Sequence, residues 1–304
     1  MIIDLPGTTS NAVSKRLVKL RDEGGAVALG RVLTLVIETS EEDLEAAIEA
    51  ANGASREHPC RVIVLSLQQG DEPRLDAQIR IGGDAGASEV VVLRTWGELS
   101  NHLDTLVIPL LLPDAPIVVW WPGEVPASPA EHPIGRIGHR RITDSTSCED
   151  PLASLHALRD AYREGDTDLA WTKVTVWRGL LAATLDQPPF ERVKRVEVEG
   201  ESTHSSVDIL AAWLAQQLRV PVEIIRRDDV EGVSAVRLHR ASGVIELDRP
   251  DGRTATLRQP GKPEHRIAMP LRQLDECLSE ELRRLDPDDV YGQVLTRGLA
   301  RVAS

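Results

Sequence analysis

The sequence has few of the residues on which disulfide-rich, metal-binding or membrane proteins depend. Only 3% of its 304 residues are aromatic, and its three cysteines, Cys60, Cys148 and Cys277, lie far apart. This odd, dispersed set indicates neither a disulfide framework nor a CxxC-type zinc site. No stretch approaches the roughly 20 apolar residues of a membrane span, and the start has Asp4 and no basic region typical of a signal peptide. We therefore expect a reduced, cytoplasmic protein without membrane contacts.

The motifs of nucleotide, hydrolase and metal chemistry are also missing. There is no GxGxxG, GxxxxGKS/T, GxSxG or HExxH in the chain. The glycines of IGGDAGAS are followed by a predicted strand, EVVVL, which favours a turn over a phosphate-binding loop. A net charge of −13 argues against a nucleic-acid partner, because phosphate backbones bind basic surfaces. We therefore predict no catalytic residues, no cofactor and no metal.

Length and composition indicate two folded domains. With 41% hydrophobic and 27% charged residues, the 304-residue chain is of the ordinary globular class and fits two domains of roughly 150 residues. Residues 123–150 are rich in Pro, Gly, His and Ser, and we interpret them as a functional loop or a domain connector. These features predict one domain over 1–150 and another over 151–304.

Strands and helices alternate in the predicted N-terminal domain. The elements expected there are strand 28–39, helix 40–53, strands 60–67, 76–81 and 89–94, helix 96–112 and strand 116–121. An antiparallel insert is expected between Cys60 and Arg94. The alternation favours a three-layer α/β sheet with helices on its faces.

The C-terminal half is predicted to be α/β with a largely antiparallel sheet. A long helix is expected over 166–186, because Ala170, Val174, Trp177, Leu181 and Leu185 recur with helical spacing. The other expected elements are helices 151–164 and 205–218, strands 191–200 and 221–227, four short strands between 234 and 269, and a helical tail after Pro270.

Two adjacent tryptophans close the last predicted strand of the first domain. Because successive side chains of a strand point to opposite faces, Trp120 and Trp121 cannot fill one core together. We expect one to be structural and the other to face the opposite helical layer or lie nearer the surface. Pro122 keeps Trp121 extended, and Gly123 permits a sharp turn at the strand end, where open α/β sheets place ligand crevices.

Arginine and tryptophan side chains elsewhere complete the set of candidates, since both residue types are enriched in binding hot spots. RRITDS follows the loop, and Trp171 and Arg178 lie two helical turns apart, away from the apolar stripe. Two core tryptophans and a salt-bridged loop explain the same pattern equally well. The interaction or pocket candidates are Trp120, Trp121, Pro122, Gly123, Arg140, Arg141, Asp144, Ser145, Trp171 and Arg178.

Several of these segments together resemble one family over nearly the whole chain. VVWWPGEVP, RRITDS, DLAWTKVTVWRGLLAATLD, SSVDILAAWLAQQL and CLSEELRRLDPDDVYGQVL are similar, in this order, to the glucose-6-phosphate dehydrogenase assembly proteins called OpcA. The resemblance implies a non-catalytic, actinobacterial partner protein that binds the dehydrogenase and promotes its active state, in support of NADPH production. The alternative is a regulatory protein that senses a sugar phosphate or nucleotide at the strand ends of the first domain.

Overall fold

The computed structural model describes residues 1–23, 32–82 and 89–302. Most of the IGGDAGAS segment lies outside these residues. The strands are β1 (Ile2–Leu5), β2 (Leu33–Thr39), β3 (Cys60–Leu67), β4 (Arg74–Arg80), β5 (Glu89–Trp96), β6 (Ile117–Trp121), β7 (Arg140–Thr143), β8 (Asp166–Asp168), β9 (Arg195–Glu201), β10 (Val222–Arg227), β11 (Val233–Arg240), β12 (Gly243–Asp248), β13 (Thr254–Arg258) and β14 (His265–Ala268).

Helices connect most of these strands. The α-helices are α1 (Ser10–Glu23), α2 (Leu44–Ser55), α3 (Leu103–Val107), α4 (Pro133–Ile137), α5 (Pro151–Ala161), α6 (Leu169–Lys173), α7 (Thr175–Leu185), α8 (Ser205–Leu218), α9 (Leu274–Arg283) and α10 (Asp289–Gln293). Gly97–Asn101, Ile108–Leu110, Ser145–Ser147 and Leu299–Arg301 form 3-10 turns, and Val294–Gly298 is a π-helical turn. In the part of the chain that the structure describes, no helix is both long and apolar enough to cross a membrane.

The chain forms two compact units. The first contains Met1–Ser147, Gly165–Thr167 and Gln273–Pro287, and the second contains Cys148–Glu164, Asp168–Arg272 and Asp288–Ser304. Each unit has its own sheet, which confirms the predicted mixed α/β fold. The boundary near residue 150 remains a prediction.

The sheet of the first unit has eight strands in the order β1-β4-β5-β3-β2-β6-β7-β8. Its centre, from β5 to β7, is parallel, whereas β4 runs antiparallel to β5 and β1 antiparallel to β4. This confirms the predicted antiparallel insert. The central strands are almost continuously apolar, as expected for parallel strands that are covered on both faces. One face packs against α1 and α3 through Val36, Ile63, Val91 and their neighbours.

The sheet of the second unit has six strands in the order β10-β9-β11-β12-β13-β14. Only the β10–β9 pair is parallel, so the sheet is largely antiparallel, as predicted. Helix α8 coincides with the expected SSVDILAAWLAQQL segment. Its buried residues share a hydrophobic core with residues of β9 and β11. The predicted stripe from Ala170 to Leu181 is buried in that core. The long helix is nevertheless divided into α6 and α7, with a break at Val174.

Two other predicted helices differ from the structure. The segment 96–112 forms the end of β5, a short α3 and two 3-10 turns instead of one helix. The C-terminal leucine-striped helix begins at Leu274 and not at Pro270, because Gln273 and Glu276 form a reciprocal capping box there.

Candidate functional site

The order of the parallel strands creates one position suited to ligand binding. From β2 the chain continues to β3 on one side, and it later returns to place β6 on the other side. The loops after β2 and β6 therefore leave the sheet in opposite directions and open a crevice between the carboxyl ends of these strands. This topological switch point lies within the first unit.

A cleft of about 450 Å³ occupies this crevice. Its volume falls in the range of small-molecule pockets, roughly 300–1,000 Å³. It is lined by the end of β2, the turn into α2, the end of β3 and the residues after β6. The lining residues are Glu38, Thr39, Ser40, Glu42, Asp43, Leu67, Gly123 and Glu124. Four of the eight carry carboxylates, so the cleft is strongly acidic.

Glu38 lines the cleft and lies beside two aromatic neighbours. The Trp121 indole Nε1 donates a hydrogen bond to Glu38 Oε2 at 3.0 Å, and His132 Nε2 lies 3.5 Å from the same oxygen. Trp121 and His132 contact each other edge to face, with ring centroids 5.5 Å apart. Burial raises the pKa of the Glu38 carboxyl, and His132 and the Trp121 hydrogen bond oppose this shift. The fold thus retains a carboxyl that is unfavourable to ionise.

Both tryptophans of the WWPG segment are buried, which excludes a position nearer the surface for the second one and leaves the alternative that it faces the opposite helical layer. Trp120 and Trp121 are 0% and 2% exposed. Trp121 packs in the core cluster with Leu103, Val107 and Ile134. Trp120 pairs in register with β2 and β7, and its indole N–H has no hydrogen-bond partner among the described residues. Successive side chains of β6 still point to opposite faces of the sheet, as predicted, but helices or loops cover both of these faces.

The strand end after Trp121 reaches the cleft directly. Pro122 is buried and Gly123 is half-buried in the cleft lining. Farther along the loop, Gly135 lies against the backbone of Pro129 so closely that a Cβ at this position would overlap the Pro129 carbonyl oxygen. The same Cβ would lie 3.4 Å from Trp121 Cη2, so the loop packs tightly on the tryptophan. The segment after β6 therefore lines the cleft with Gly123 and Glu124 and packs against Trp121 at Gly135.

RRITDS is a buried strand and turn rather than an exposed contact segment. Arg140 donates to Glu281 Oε2 at 2.9 Å and to the Asp286 carbonyl at 2.6 Å. Arg141 pairs with Asp166. All of these residues belong to the first unit, and both arginines are buried. The guanidinium groups thus join segments that are distant in sequence.

The remaining residues of this motif stabilise the turn after β7. Asp144 accepts hydrogen bonds from Thr146 Oγ1 at 2.6 Å and from Ser147 Oγ at 3.2 Å. Asp144 and Ser145 are both buried. These two polar side chains thus lie inside the fold and not at its surface.

Trp171 and Arg178 come together in the second unit. The Arg178 guanidinium carbon lies 3.3 Å from the Trp171 ring centroid, which is a cation–π stack. Trp171 Nε1 donates to Asp288 Oδ2 at 2.9 Å, and Arg178 Nη2 donates to Thr175 Oγ1 at 2.9 Å. Trp171 is 2% exposed. The pair therefore stabilises the start of the α6–α7 segment.

Most of the cleft residues were not candidates from the sequence. Thr39 and Leu67 are the last residues of β2 and β3, Glu42 and Asp43 lie in the turn into α2, and Glu124 follows β6. A signal was present in the acidic run SEED directly after an apolar strand. Its meaning depends on β6 lying beside β2, which no local pattern reveals.

No metal centre is found in the described ranges: no group of three or more His, Cys, Asp or Glu residues there has a geometry that holds a metal ion. The four carboxylates of the acidic cleft give it hydrogen-bond acceptors and negative charge.

Comparisons with known proteins identify the family. Two family models match, the glucose-6-phosphate dehydrogenase subunit N-terminal domain over residues 51–160 and its C-terminal domain over 164–295. The OxPP cycle protein OpcA of Synechococcus elongatus is 29% identical over 171 residues, which cover 52% of this chain and 38% of that protein. The OpcA protein of Synechocystis sp. is 25% identical over 190 residues, or 56% of this chain and 39% of the relative. The alignments thus span about two fifths of these relatives.

A solved structure shares the fold. The crystal structure of an oxidoreductase from Sinorhizobium meliloti matches with a TM-score of 0.51 and 13% identity, over 88% of this chain and 94% of that chain. At this identity the likeness concerns architecture alone. The two matched domain models, which extend over both units, carry the assignment. The chain belongs to the OpcA family of glucose-6-phosphate dehydrogenase assembly proteins.

Proposed function

We propose that the chain is a non-catalytic assembly factor that binds glucose-6-phosphate dehydrogenase and promotes its active state, in support of the oxidative pentose phosphate pathway. The observation that carries the proposal is the match of both halves of the chain to domain models named for a subunit of this dehydrogenase. The relatives named as OxPP cycle proteins support the same pathway. The chain would then act in the cytoplasm with a protein partner.

The charge of the switch-point cleft supports a role without a nucleotide. Dinucleotide-binding sheets use this position for phosphate groups, with a glycine-rich turn and the free N–H groups of a helix N-terminus. Here the turn into α2 contains Glu42 and Asp43, and Glu38 and Glu124 face the same space. The exposed carboxylates of Glu42, Asp43 and Glu124 repel a phosphate. The same argument disfavours the alternative of a sugar-phosphate or nucleotide sensor.

Activation requires more than binding. An assembly factor shifts its target towards the active form only if it binds this form more tightly than the inactive one. A difference of about 1.4 kcal/mol in binding free energy changes the equilibrium about tenfold. The candidate residues that are buried, such as Trp121, Arg140 and Trp171, would support the contact surface from within, and exposed residues would make the contact.

Co-elution tests the proposal against the sensor alternative. Purified chain and purified dehydrogenase from the same organism are mixed without metabolites and separated by size exclusion. The proposal predicts a complex of summed mass. Glucose 6-phosphate and NADP are then added separately to the isolated chain, and its melting temperature is recorded. Absence of a complex, together with a melting temperature that rises with either metabolite, would favour the sensor and overturn the proposal.

A further inference from the structure

Among the described residues, which include every aromatic one, only the aromatic side chain of Phe190 is exposed. The sequence contains six tryptophans, two tyrosines and this one phenylalanine. Phe190 is 78% exposed, whereas the tryptophans and tyrosines are buried or half-buried. Three aromatic candidates from the sequence, Trp120, Trp121 and Trp171, lie in the interior. Phe190 is therefore the aromatic residue most accessible to another protein.

The backbone on both sides of Phe190 is held by hydrogen bonds. The Pro189 carbonyl oxygen accepts one from Glu191 N at 2.9 Å and one from Arg240 Nη1 at 3.1 Å. Glu191 Oε2 in turn accepts one from Ser242 N at 3.0 Å. Arg240 is itself buried. An ordered backbone therefore presents the exposed ring.

Three turns of the second unit meet around Phe190, and we call them together the tip. Lys262 Nζ donates to Gln187 Oε1 at 3.0 Å, which joins the third turn to the first. A Cβ added to Gly243 would lie 2.9 Å from Pro260 Cγ, so the second and third turns are also in contact. The tip consists of residues 186–194 between α7 and β9, 240–243 between β11 and β12, and 259–262 between β13 and β14.

The tip carries free positive charge in a strongly acidic chain. Arg192 and Lys194 are exposed and Lys262 is half-buried, and none of the three has an ion-pair partner within residues 1–23, 32–82 and 89–302. The acids of the tip are Asp186 and Glu191, and Glu191 already accepts the hydrogen bond from the second turn. Because the whole chain has a net charge of −13, the free cations around Phe190 are a local feature.

This combination matches the chemistry of a binding hot spot. A single exposed apolar side chain needs no explanation, but here the ring is large, its backbone is fixed and its surroundings are basic. A fixed backbone reduces the conformational entropy that is lost on binding, and positive charge directs the approach of an acidic surface. An anionic membrane fits less well, because membrane-surface segments bury several apolar side chains and the tip offers one large one.

We propose that the tip docks on glucose-6-phosphate dehydrogenase, with Phe190 inserted into an apolar pocket whose rim is acidic. Arg192 and Lys194 pair with carboxylates of this rim. Arg240 acts as a positioning residue, because it holds the Pro189 carbonyl that precedes the ring. This inference rests on the proposed function and locates its contact surface.

Removal of the ring tests the inference most directly. The dissociation constant for the dehydrogenase is measured by calorimetry for wild type and for Phe190→Ser. We expect the variant to bind about thirtyfold more weakly, the loss typical of a central aromatic hot spot. Its melting temperature should equal that of wild type, because the ring is exposed. Val290→Ser, a change of an exposed apolar residue outside the tip, should bind as wild type does.

Charge-neutral variants test the basic rim. Arg192→Gln/Lys194→Gln is expected to bind about fivefold more weakly, because exposed ion pairs each contribute a modest free energy. The salt dependence of binding should decrease with it. The matched control, Arg253→Gln/Arg297→Gln, removes the same charge from exposed positions of the second unit outside the tip. It should keep the affinity of wild type, and an equal loss in both double variants would contradict a specific rim.

Arg240→Met tests whether the fixed backbone matters. We expect it to bind about threefold more weakly when Phe190 is present, because the ring is then less well positioned. In the Phe190→Ser background the same change should have no further effect on affinity. Losses of equal size in both backgrounds would show that Arg240 does not act through Phe190.

The outcomes separate this inference from the proposed function. If wild type does not bind the dehydrogenase, both fail. If wild type binds and both Phe190→Ser and the rim variant bind equally well, only the tip inference is overturned. Binding of wild type to phosphatidylglycerol vesicles that is lost in Phe190→Ser, with unchanged affinity for the dehydrogenase, would assign the tip to a membrane instead. A photo-crosslinking residue at position 190 should capture a dehydrogenase peptide that contains acidic residues, and capture only from position 297 contradicts the inference.

Discussion

The buried pair between Arg140 and Glu281 gives the sharpest prediction about the fold. In sequence the partners are 141 positions apart, and their side chains are 2% and 10% exposed. Arg140→Met removes this pair and the bond to the Asp286 carbonyl. The carboxylate of Glu281 then loses this buried counter-charge, which destabilises by about 3–5 kcal/mol. For a unit of this size, the melting temperature should fall by roughly 6–20 °C.

A double-mutant cycle tests whether the loss of stability comes from breaking this ion pair. Denaturant unfolding is followed for Arg140→Met, Glu281→Met and the combination. The double variant should recover most of the stability, because an apolar pair of similar volume replaces a buried ion pair with little loss. Arg283→Met is the control: this arginine pairs with Glu57 in an exposed bridge, so the change should have no measurable effect.

Two results would refute the reasoning about this pair. A loss of stability below about 1 kcal/mol in Arg140→Met would mean that the charges are not desolvated. A double variant whose loss equals the sum of both single losses would mean that they are not coupled. Either result would show that this buried pair does not hold the first unit together.

Three further changes have defined outcomes. Glu38→Gln should stabilise the protein at neutral pH, because burial raises the pKa of Glu38 and makes its ionised form unfavourable. This gain in stability should vanish below the ordinary carboxyl pKa of about 4.5, which thermal unfolding measured across pH tests. Gly135→Ala should destabilise by about 3 kcal/mol through backbone overlap, whereas Gly179→Ala, in open helical space, should stabilise by about 0.5–1 kcal/mol in denaturant unfolding. Arg178→Gln and Trp171→Phe should show a coupling energy of about 1 kcal/mol in a stability cycle.

Each of these predictions has a contrary result. Equal stability of Glu38→Gln and wild type at every pH would mean that the carboxyl is solvated. Gly135→Ala with wild-type stability would show that the loop is not tightly packed on Trp121. Independent effects of the changes at Arg178 and Trp171 would contradict the stack.

Much of the architecture could be predicted because local pattern and tertiary packing agree there. Helix α8 and the apolar stripe of α6 and α7 follow from helical spacing, and β2 and β3 from apolar runs. The helix expected over 96–112 is wrong because short turns, including one that contains Pro109, replace a continuous helix. Its apolar residues still reach the core, as Leu103 and Val107 show.

The interior arginines and the cleft could not be predicted in the same way. From the sequence, Arg140 and Arg141 are interpreted as part of a polar loop, because their partners Glu281 and Asp166 lie far along the chain. Charged residues are rarely buried unless they are paired, and which residues pair depends on the tertiary structure. Likewise, Glu124 and the residues after β2 become neighbours only through the strand order.

The central claim is that the chain activates glucose-6-phosphate dehydrogenase by binding it. The most direct measurement is a titration of the purified chain into the purified dehydrogenase, with mass by light scattering and NADPH production recorded on the same samples. We expect that both rise together and saturate at one stoichiometric ratio, without activity of the chain alone. Activity that does not change while a complex forms, or no complex at any concentration, would contradict it.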